Sequence, residues 1–281
     1  MPYPKIILSS GKDQSLRRFH PWVFSGAIKK VKHKAEVKDG DIVEVYDNKD
    51  EFLGMGHYQD SSIAVRVFSF KQITPDKTFW KEKIQSAYDF RKKIGLADNS
   101  NTTCYRLLFG EGDGLPGLII DYYNGTCVVQ CHSIGMHLAK NEIVEALKEV
   151  YGEKLLAVYD KSAETLPKKF AEDVKNDYLF GKGADEQHLI LENGLSFWAD
   201  WKSGQKTGFF LDQRENRQML ARYSVGKNVL NAFCYTGAFS IYALHAGAEE
   251  VHSVDSSKRA IELAEKNVKM NSFSGKHKSF G

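Results

Sequence analysis

The sequence predicts a multidomain chain of mixed α/β and α+β class: a β-rich barrel, a small α+β domain, and a parallel sheet interleaved with helices. Length is the first reason, since 281 residues exceed the roughly 100–200 of one domain and 42% of them are hydrophobic, enough for several cores. Texture is the second: short β-branched and aromatic runs fill the first seventy positions, whereas strand and helix patterns alternate after residue 189.

Within residues 1–72, Ile42-Val43-Glu44-Val45-Tyr46, Phe52 to Tyr58 and Ile63 to Phe70 read as strands. Asp47-Asn48-Lys49-Asp50 and Gln59-Asp60-Ser61-Ser62 are turn-forming and join them as hairpins, so a small antiparallel barrel is expected. Residues 76–183 open with an amphipathic helix, Lys77 to Ile94, whose Phe79, Trp80, Ile84, Ala87, Tyr88 and Ile94 fall at helical spacing before Gly95 closes it. Strands Leu115 to Tyr122 and Thr126 to Cys131 flank Tyr123-Asn124-Gly125, where Asn-Gly supplies the positive φ of a tight hairpin. A helix from about Met136 to Val150 and a strand from Leu155 to Tyr159 complete this small α+β domain. Residues 189–281 begin with a hairpin, Ile190 to Trp198, and continue as strand Asn228 to Ala232, helix Gly237 to His245, strand Glu250 to Asp255 and helix Ser257 to Asn271. That βαβα order predicts a parallel sheet covered by helices.

Composition narrows the setting. Apolar runs such as Leu115 to Ile120 fall far short of the ~18 residues a spanning helix needs, and Met1-Pro-Tyr-Pro has no signal-peptide apolar run, so a cytoplasmic protein without a membrane partner is expected. Cys104, Cys127, Cys131 and Cys234 contain no C-x-x-C pair and no His at zinc-site spacing, so no metal is expected. Cys127 and Cys131 share one strand face on the order of 13 Å apart, too far for a disulfide. The net charge is only +3, but basic residues cluster at Arg17-Arg18, at Lys29-Lys30 with Lys32 and Lys34, at Arg91-Lys92-Lys93 and at Lys168-Lys169. Two clusters within the first domain point to a phosphate-facing surface, with ordinary solvated charge as the alternative.

The chemistry-bearing stretch is Val229-Leu230-Asn231-Ala232-Phe233-Cys234-Tyr235-Thr236-Gly237, a hydrophobic strand running through a turn directly into a helix. Ligands of open α/β sheets bind beyond the carboxyl ends of strands, and Gly237 removes a Cβ that would block close approach. Asp255 ends the next strand, eighteen residues after Gly237, where a carboxylate can accept from both hydroxyls of a ribose; a cap for the helix at Ser257 is the bland alternative. A dinucleotide would need G-x-G-x-x-G for its pyrophosphate, and only Gly237 is present. A nucleoside cofactor without phosphate fits better, and S-adenosylmethionine is the common one. Upstream, Lys206-Thr207-Gly208-Phe209-Phe210-Leu211-Asp212-Gln213-Arg214-Glu215-Asn216-Arg217 concentrates polar groups suited to the amino-acid end of such a cofactor, or else caps a helix at Asp212.

These three segments resemble successive cofactor motifs of the large-subunit rRNA cytosine-5 methyltransferase family. The resemblance extends upstream: Phe19-His20-Pro21-Trp22-Val23-Phe24-Ser25-Gly26 is similar to the family's opening PUA domain, an RNA-binding module, and Tyr105-Arg106-Leu107-Leu108-Phe109-Gly110-Glu111-Gly112-Asp113-Gly114-Leu115-Pro116-Gly117-Leu118 to its central domain. The resemblance implies a PUA-like barrel, a Rossmann-like sheet and structured rRNA as partner. It assigns cofactor binding to Asp212, Gln213, Arg214, Asn231, Phe233, Tyr235, Thr236, Gly237 and Asp255. Arg17, Arg18, His20, Lys29 and Lys30 are the candidates for RNA contact, with Trp22 and Phe24 as stacking or core aromatics. A homodimer is a further partner to be tested.

The family's Asp-Pro-Pro motif and nucleophilic Cys find no counterpart here, so the resemblance implies a C-terminally truncated and inactive span whose Val229 strand has an unpaired edge. Cytosine-5 chemistry needs a thiolate to add to C6 and a base to remove the C5 proton, and Cys234 sits in the glycine-turn motif as packing. No catalytic residue is identifiable on this basis. Guanine methylation by a relative and a non-catalytic RNA-binding protein are the alternatives; a nucleotide-dependent oxidoreductase loses on the missing glycines.

Overall fold

The computed structural model describes residues 3–32, 36–183 and 188–281. Lys34 of the basic run and Met1-Pro2 lie outside the described residues. The chain forms two compact units, Met1–Arg91 with Arg106–Asp121 and Cys127–Lys182, and Lys92–Tyr105 with Tyr122–Thr126 and Gly183–Gly281.

The first unit opens with β1 (Lys5–Leu8), α1 (Gln14–Arg17), β2 (Trp22–Phe24), β3 (Ile28–Lys32), β4 (Ile42–Tyr46), β5 (Phe52–Tyr58) and β6 (Ile63–Ser69). These strands make a six-stranded sheet in the order β2-β6-β5-β4-β1-β3, with β1 parallel to β4. Alternation decides what it buries. Ile6 and Leu8, Val43 and Val45, and Val65 and Val67 sit at two-residue spacing and pack with Leu16, Val23 and Leu53 into one core. Gly56 is required by closeness, since a Cβ there would lie 2.1 Å from the Arg66 carbonyl oxygen. β1, β2 and β3 are absent from the sequence-based reading, which took Trp22 to Phe24 as a recognition motif and the Lys29 run as surface charge.

After α2 (Lys77–Lys93), the strands β7 (Cys104–Phe109), β8 (Leu118–Tyr123), β9 (Thr126–Cys131), β10 (Ala157–Asp160) and β11 (Asp177–Gly181) form a second sheet in the order β11-β10-β9-β8-β7. β8 starts three residues later than predicted, because Pro116 lacks a donor and Gly117 takes φ +84°. The single helix expected from Met136 to Val150 is two, α3 (Ile134–Leu138) and α4 (Lys140–Tyr151), and the Ser133 Oγ starts the first by accepting from the Met136 N–H at 3.4 Å. A last short helix, α5 (Lys168–Ala171), precedes β11.

The second unit contains the hairpin β12 (Leu189–Glu192) and β13 (Leu195–Trp198), then α6 (Arg214–Ser224), β14 (Asn228–Ala232), α7 (Ala238–His245), β15 (Glu250–Val254), α8 (Lys258–Lys269) and β16 (Lys276–Phe280). β14, β15 and β16 run parallel in that order, with Ala243, Leu244, Ala248 and Val251 as the core between helix and sheet. β16 is a correction to the predicted pattern, which ended at the second helix; Lys276-His277-Lys278-Ser279-Phe280 is too polar to announce a strand. Among the described residues β14 lies at the edge of its sheet, with Leu230 69% exposed.

All four cysteines are free and buried. Burial pushes the Cys104 and Cys131 thiols up to about 12 and Cys234 to about 11, and raises Cys127 as well. No helix among the described residues is long and apolar enough to cross a membrane.

Candidate functional site

The turn leaving β14 is built from an unusual backbone: Phe233, Tyr235 and Gly237 take φ of 56°, 48° and 75°. Two of the three are bulky residues in the left-handed region, a conformation that costs energy and persists only where neighbours enforce it. The neighbour is Asp255. Its Oδ2 accepts the Tyr235 N–H at 2.9 Å, while Oδ1 accepts the Ser257 N–H at 2.9 Å. The carboxylate thus ties the end of β14 to the start of α8, where the Ser257 Oγ accepts from the Ala260 N–H. Each carboxylate oxygen retains a lone pair that a ligand hydroxyl can use.

Beside this carboxylate opens a cleft of about 390 Å³ lined by Gln205, Phe210, Phe233, Tyr235, Asp255 and Arg259, among others. A smaller one of about 120 Å³ shares Phe210, Phe233 and Tyr235 and adds Gln213, Arg217 and Thr236. The Phe233 ring is 93% exposed and so presents a flat apolar face to whatever enters. Tyr235 is held from the other side: its hydroxyl accepts the Gln205 N–H at 3.0 Å, its ring meets Phe210 edge-on, and burial raises its pKa.

Asp255, Phe233, Tyr235, Gln213 and Thr236 therefore converge on one pair of clefts. The other candidates stand elsewhere. Asp212 is exposed and lines neither cleft, with Gln213 Nε2 donating to it at 3.2 Å. Asn231 donates to the Ser240 Oγ at 2.9 Å, inside the β14–α7 unit. Arg214 is buried, donates to Glu192 at 3.1 Å and to the Cys104 carbonyl at 2.6 Å, and so braces the fold. Gly237 has a packing role in the fold: a Cβ there would lie 2.8 Å from the Ala264 Cβ, so its absence admits α8.

Sequence reasoning missed Gln205, Phe210 as a ring partner, and Arg259, whose Nη2 lies 2.5 Å from Asp200. No local pattern marks them, because Gln205 and Arg259 reach the cleft from segments 54 residues apart.

The basic candidates divide similarly. Arg17 is engaged within the domain: its guanidinium meets Asp13 at 2.5 Å, Asp47 at 2.9 Å and Glu51 at 2.7 Å, carboxylates with which a phosphate would have to compete. Arg18, Lys29 and Lys30 are exposed. His20 stands edge-on to Trp22, and Trp22 edge-on to the half-exposed Phe24, so these rings form a surface ladder rather than a core. In the glycine-rich loop, Asp113 is claimed by Arg91 and Glu111 accepts from the Trp22 Nε1 at 2.8 Å.

Residues 6–70 match the PUA-like domain, and residues 106–281 match the S-adenosylmethionine-dependent methyltransferase family. The chain belongs to that methyltransferase family. It is 40% identical over 269 residues to the ribosomal RNA large subunit methyltransferase I of Aeromonas hydrophila, covering 95% of this chain and 66% of the relative. The same enzyme name from Aliivibrio fischeri is 40% identical over 270 residues, covering 95% and 67%. The chain thus spans about two thirds of the length of the curated relatives it matches. A Streptococcus mutans protein described as an S-adenosylmethionine-dependent methyltransferase superposes with a TM-score of 0.81 at 29% identity, covering all of this chain and 71% of that one. A second structure, described as a methyltransferase complexed with SAH, gives the same score and identity over 70% of its chain. The expected inactivity of this methyltransferase span is not borne out by these matches.

The residues fit the family's cofactor. A half-buried carboxylate with lone pairs to spare suits a ribose, and an uncovered phenyl ring suits a purine.

Proposed function

We propose that the chain is the cofactor-binding and RNA-holding portion of an rRNA methyltransferase that acts on the large ribosomal subunit, with cytosine C5 as the methylated atom. Residues 1–72 grip RNA, residues 76–183 space and orient it, and residues 189–281 hold the cofactor. The observation that carries the rRNA methyltransferase part of this reading is the agreement at 40% identity, across 95% of the chain, with relatives called ribosomal RNA large subunit methyltransferase I; the choice of cytosine C5 rests on the motif resemblance alone. S-adenosylmethionine supplies an electrophilic methyl group on a sulfonium sulfur.

This chain's residues would do the holding. Asp255 accepts from the ribose hydroxyls, Phe233 stacks on the purine, and Gln213 and Thr236 bind polar atoms at the opposite end of the paired clefts. Their positions are enforced from behind, since Asp255 is fixed by two backbone N–H groups before any ligand arrives. None of the four cysteines is offered as the thiolate that cytosine-5 chemistry requires: all are buried, and burial raises each of them above its ordinary range, the reverse of an activated thiol.

Calorimetric titration with S-adenosylhomocysteine, alongside Asp255→Ala, tests the cofactor site. Binding by the unaltered chain that the substitution abolishes is expected; equal binding by both would sink the assignment. Base identity is read separately, by mass analysis of rRNA nucleosides from cells lacking the protein: a missing 5-methylcytidine is expected, whereas a missing methylguanosine would transfer the reading to guanine.

A further inference from the structure

Among the described residues of the first unit, two half-buried cations make no ion pair within 4 Å. Arg66 on β6 makes one long contact, Nη1 to the Ile63 carbonyl at 3.4 Å, and Lys83 on α2 has only the Phe79 ring at 5.7 Å. Desolvation lowers the pKa of both. Burying a charge without a close partner costs free energy, and groups perturbed by desolvation cluster at functional sites.

Both cations border the same loop. A methyl group placed on Gly114 would lie 3.0 Å from the Lys83 Nζ, and one on Gly117 would lie 3.5 Å from the Arg66 Cδ. The strand register sets Arg66 directly opposite Trp22, so the two side chains share a face of the sheet. Trp22 is the middle ring of the ladder His20, Trp22, Phe24. The row continues on β5 to His57, whose Nδ1 is buried with no hydrogen-bond partner. Glu111 is the carboxylate facing Arg66, and one of its oxygens is engaged by the Trp22 indole N–H at 2.8 Å.

We propose that Arg66 and Lys83 form a phosphodiester-binding site for an unpaired RNA strand, with the Trp22 ladder stacking the adjoining base and Glu111 swinging away as the phosphate enters. The site rests on the RNA reading given above. A phosphate supplies a directly paired counter-charge, taking the place of Glu111 at Arg66, and the neighbouring rings select a nucleotide over a free anion because any base offers a π-face. A duplex keeps its bases stacked internally and cannot use the ladder.

The test is fluorescence anisotropy of the full chain with a labelled single-stranded oligoribonucleotide, the same sequence as a duplex, and inorganic phosphate as competitor, across a salt series. Arg66→Gln and Lys83→Gln should each weaken strand binding about tenfold and reduce the log–log salt slope by roughly 0.7, the contribution of one phosphate contact on a single strand. Arg66→Lys should keep the slope, which separates lost charge from lost packing. Glu111→Gln keeps the acceptor for Trp22 and should tighten binding. Unchanged affinity and slope in both glutamine variants, weaker binding by Glu111→Gln, or competition by inorganic phosphate at the strand's own concentration would each overturn the site while RNA binding itself stands. No RNA binding by the unaltered chain, with S-adenosylhomocysteine still bound, would overturn the RNA reading and this site together.

Discussion

Arg217 grips both carboxylate oxygens of Glu192 at 2.8 Å each, and neither side chain reaches solvent. Arg214 adds a third charged contact at 3.1 Å and the Tyr242 hydroxyl donates at 3.1 Å, while the Phe209 ring lies 4.8 Å from the Arg217 guanidinium carbon. Arg217 also donates to the Phe210 carbonyl at 3.0 Å, so this buried network sets the floor of the smaller cleft. Arg217→Met should cost about 3–5 kcal/mol, because it deprives a buried carboxylate of its bidentate partner. Urea unfolding checks this, and pairing the change with Glu192→Leu should recover part of the loss.

Phe233 should behave in the opposite sense. Its ring is 93% exposed and its φ of 56° strains a bulky residue. Phe233→Gly is expected to stabilise the chain by about 1 kcal/mol, seen as a rise of a few degrees in Tm, and to weaken S-adenosylhomocysteine binding about tenfold. Melting curves and calorimetry on one sample read both. Loss of stability would show that the ring supports the fold.

The contact between Gly237 and Ala264 offers a cleaner packing test. Gly237→Ala sets a methyl 2.8 Å from the Ala264 Cβ at φ +75°, so a loss of about 1–3 kcal/mol is expected. Adding Ala264→Gly should return the steric part and leave the backbone part, roughly 1 kcal/mol. A double-mutant cycle in urea separates them.

His57 predicts a pH dependence of the first unit. Burial lowers its pKa from 6.5 to about 4, so the folded state refuses a proton that the unfolded chain accepts. The sign follows: its contribution is complete above pH 6.5 and is lost as pH falls towards about 4, a change of roughly 3 kcal/mol over that window. Hydrogen exchange at the β5 and β6 amides should show protection declining between pH 6.5 and 4.5. His57→Gln should flatten the slope; an unchanged slope would assign it to another group.

Elements with a clean period were legible in the sequence. Alternating Val43 and Val45 gave β4, and the apolar stripe of α2 gave a helix whose end falls one residue from the expected one. β16 and β3 were not legible, because an edge strand in contact with water need carry no apolar repeat, and Lys29-Lys30 and Lys276-His277-Lys278 look like loops. In the site, the juxtaposition of Asp255 with the Gly237 turn followed from strand order in any parallel sheet. The fates of Arg17 and Arg214 did not. Arg17 finds Glu51 from 34 residues away and Arg214 finds the Cys104 carbonyl from 110, and a basic residue's sequence neighbours carry no trace of such partners.

The four buried thiols make the chain a natural blank for chemical labelling. Thiol reagents attack the thiolate, and these sulfurs are shielded from both ionisation and solvent. A single cysteine introduced at the exposed Lys29 would therefore take a dye alone, with no need to strip the native residues first. Arrival of a nucleic-acid strand could then be watched in real time on an otherwise unaltered molecule.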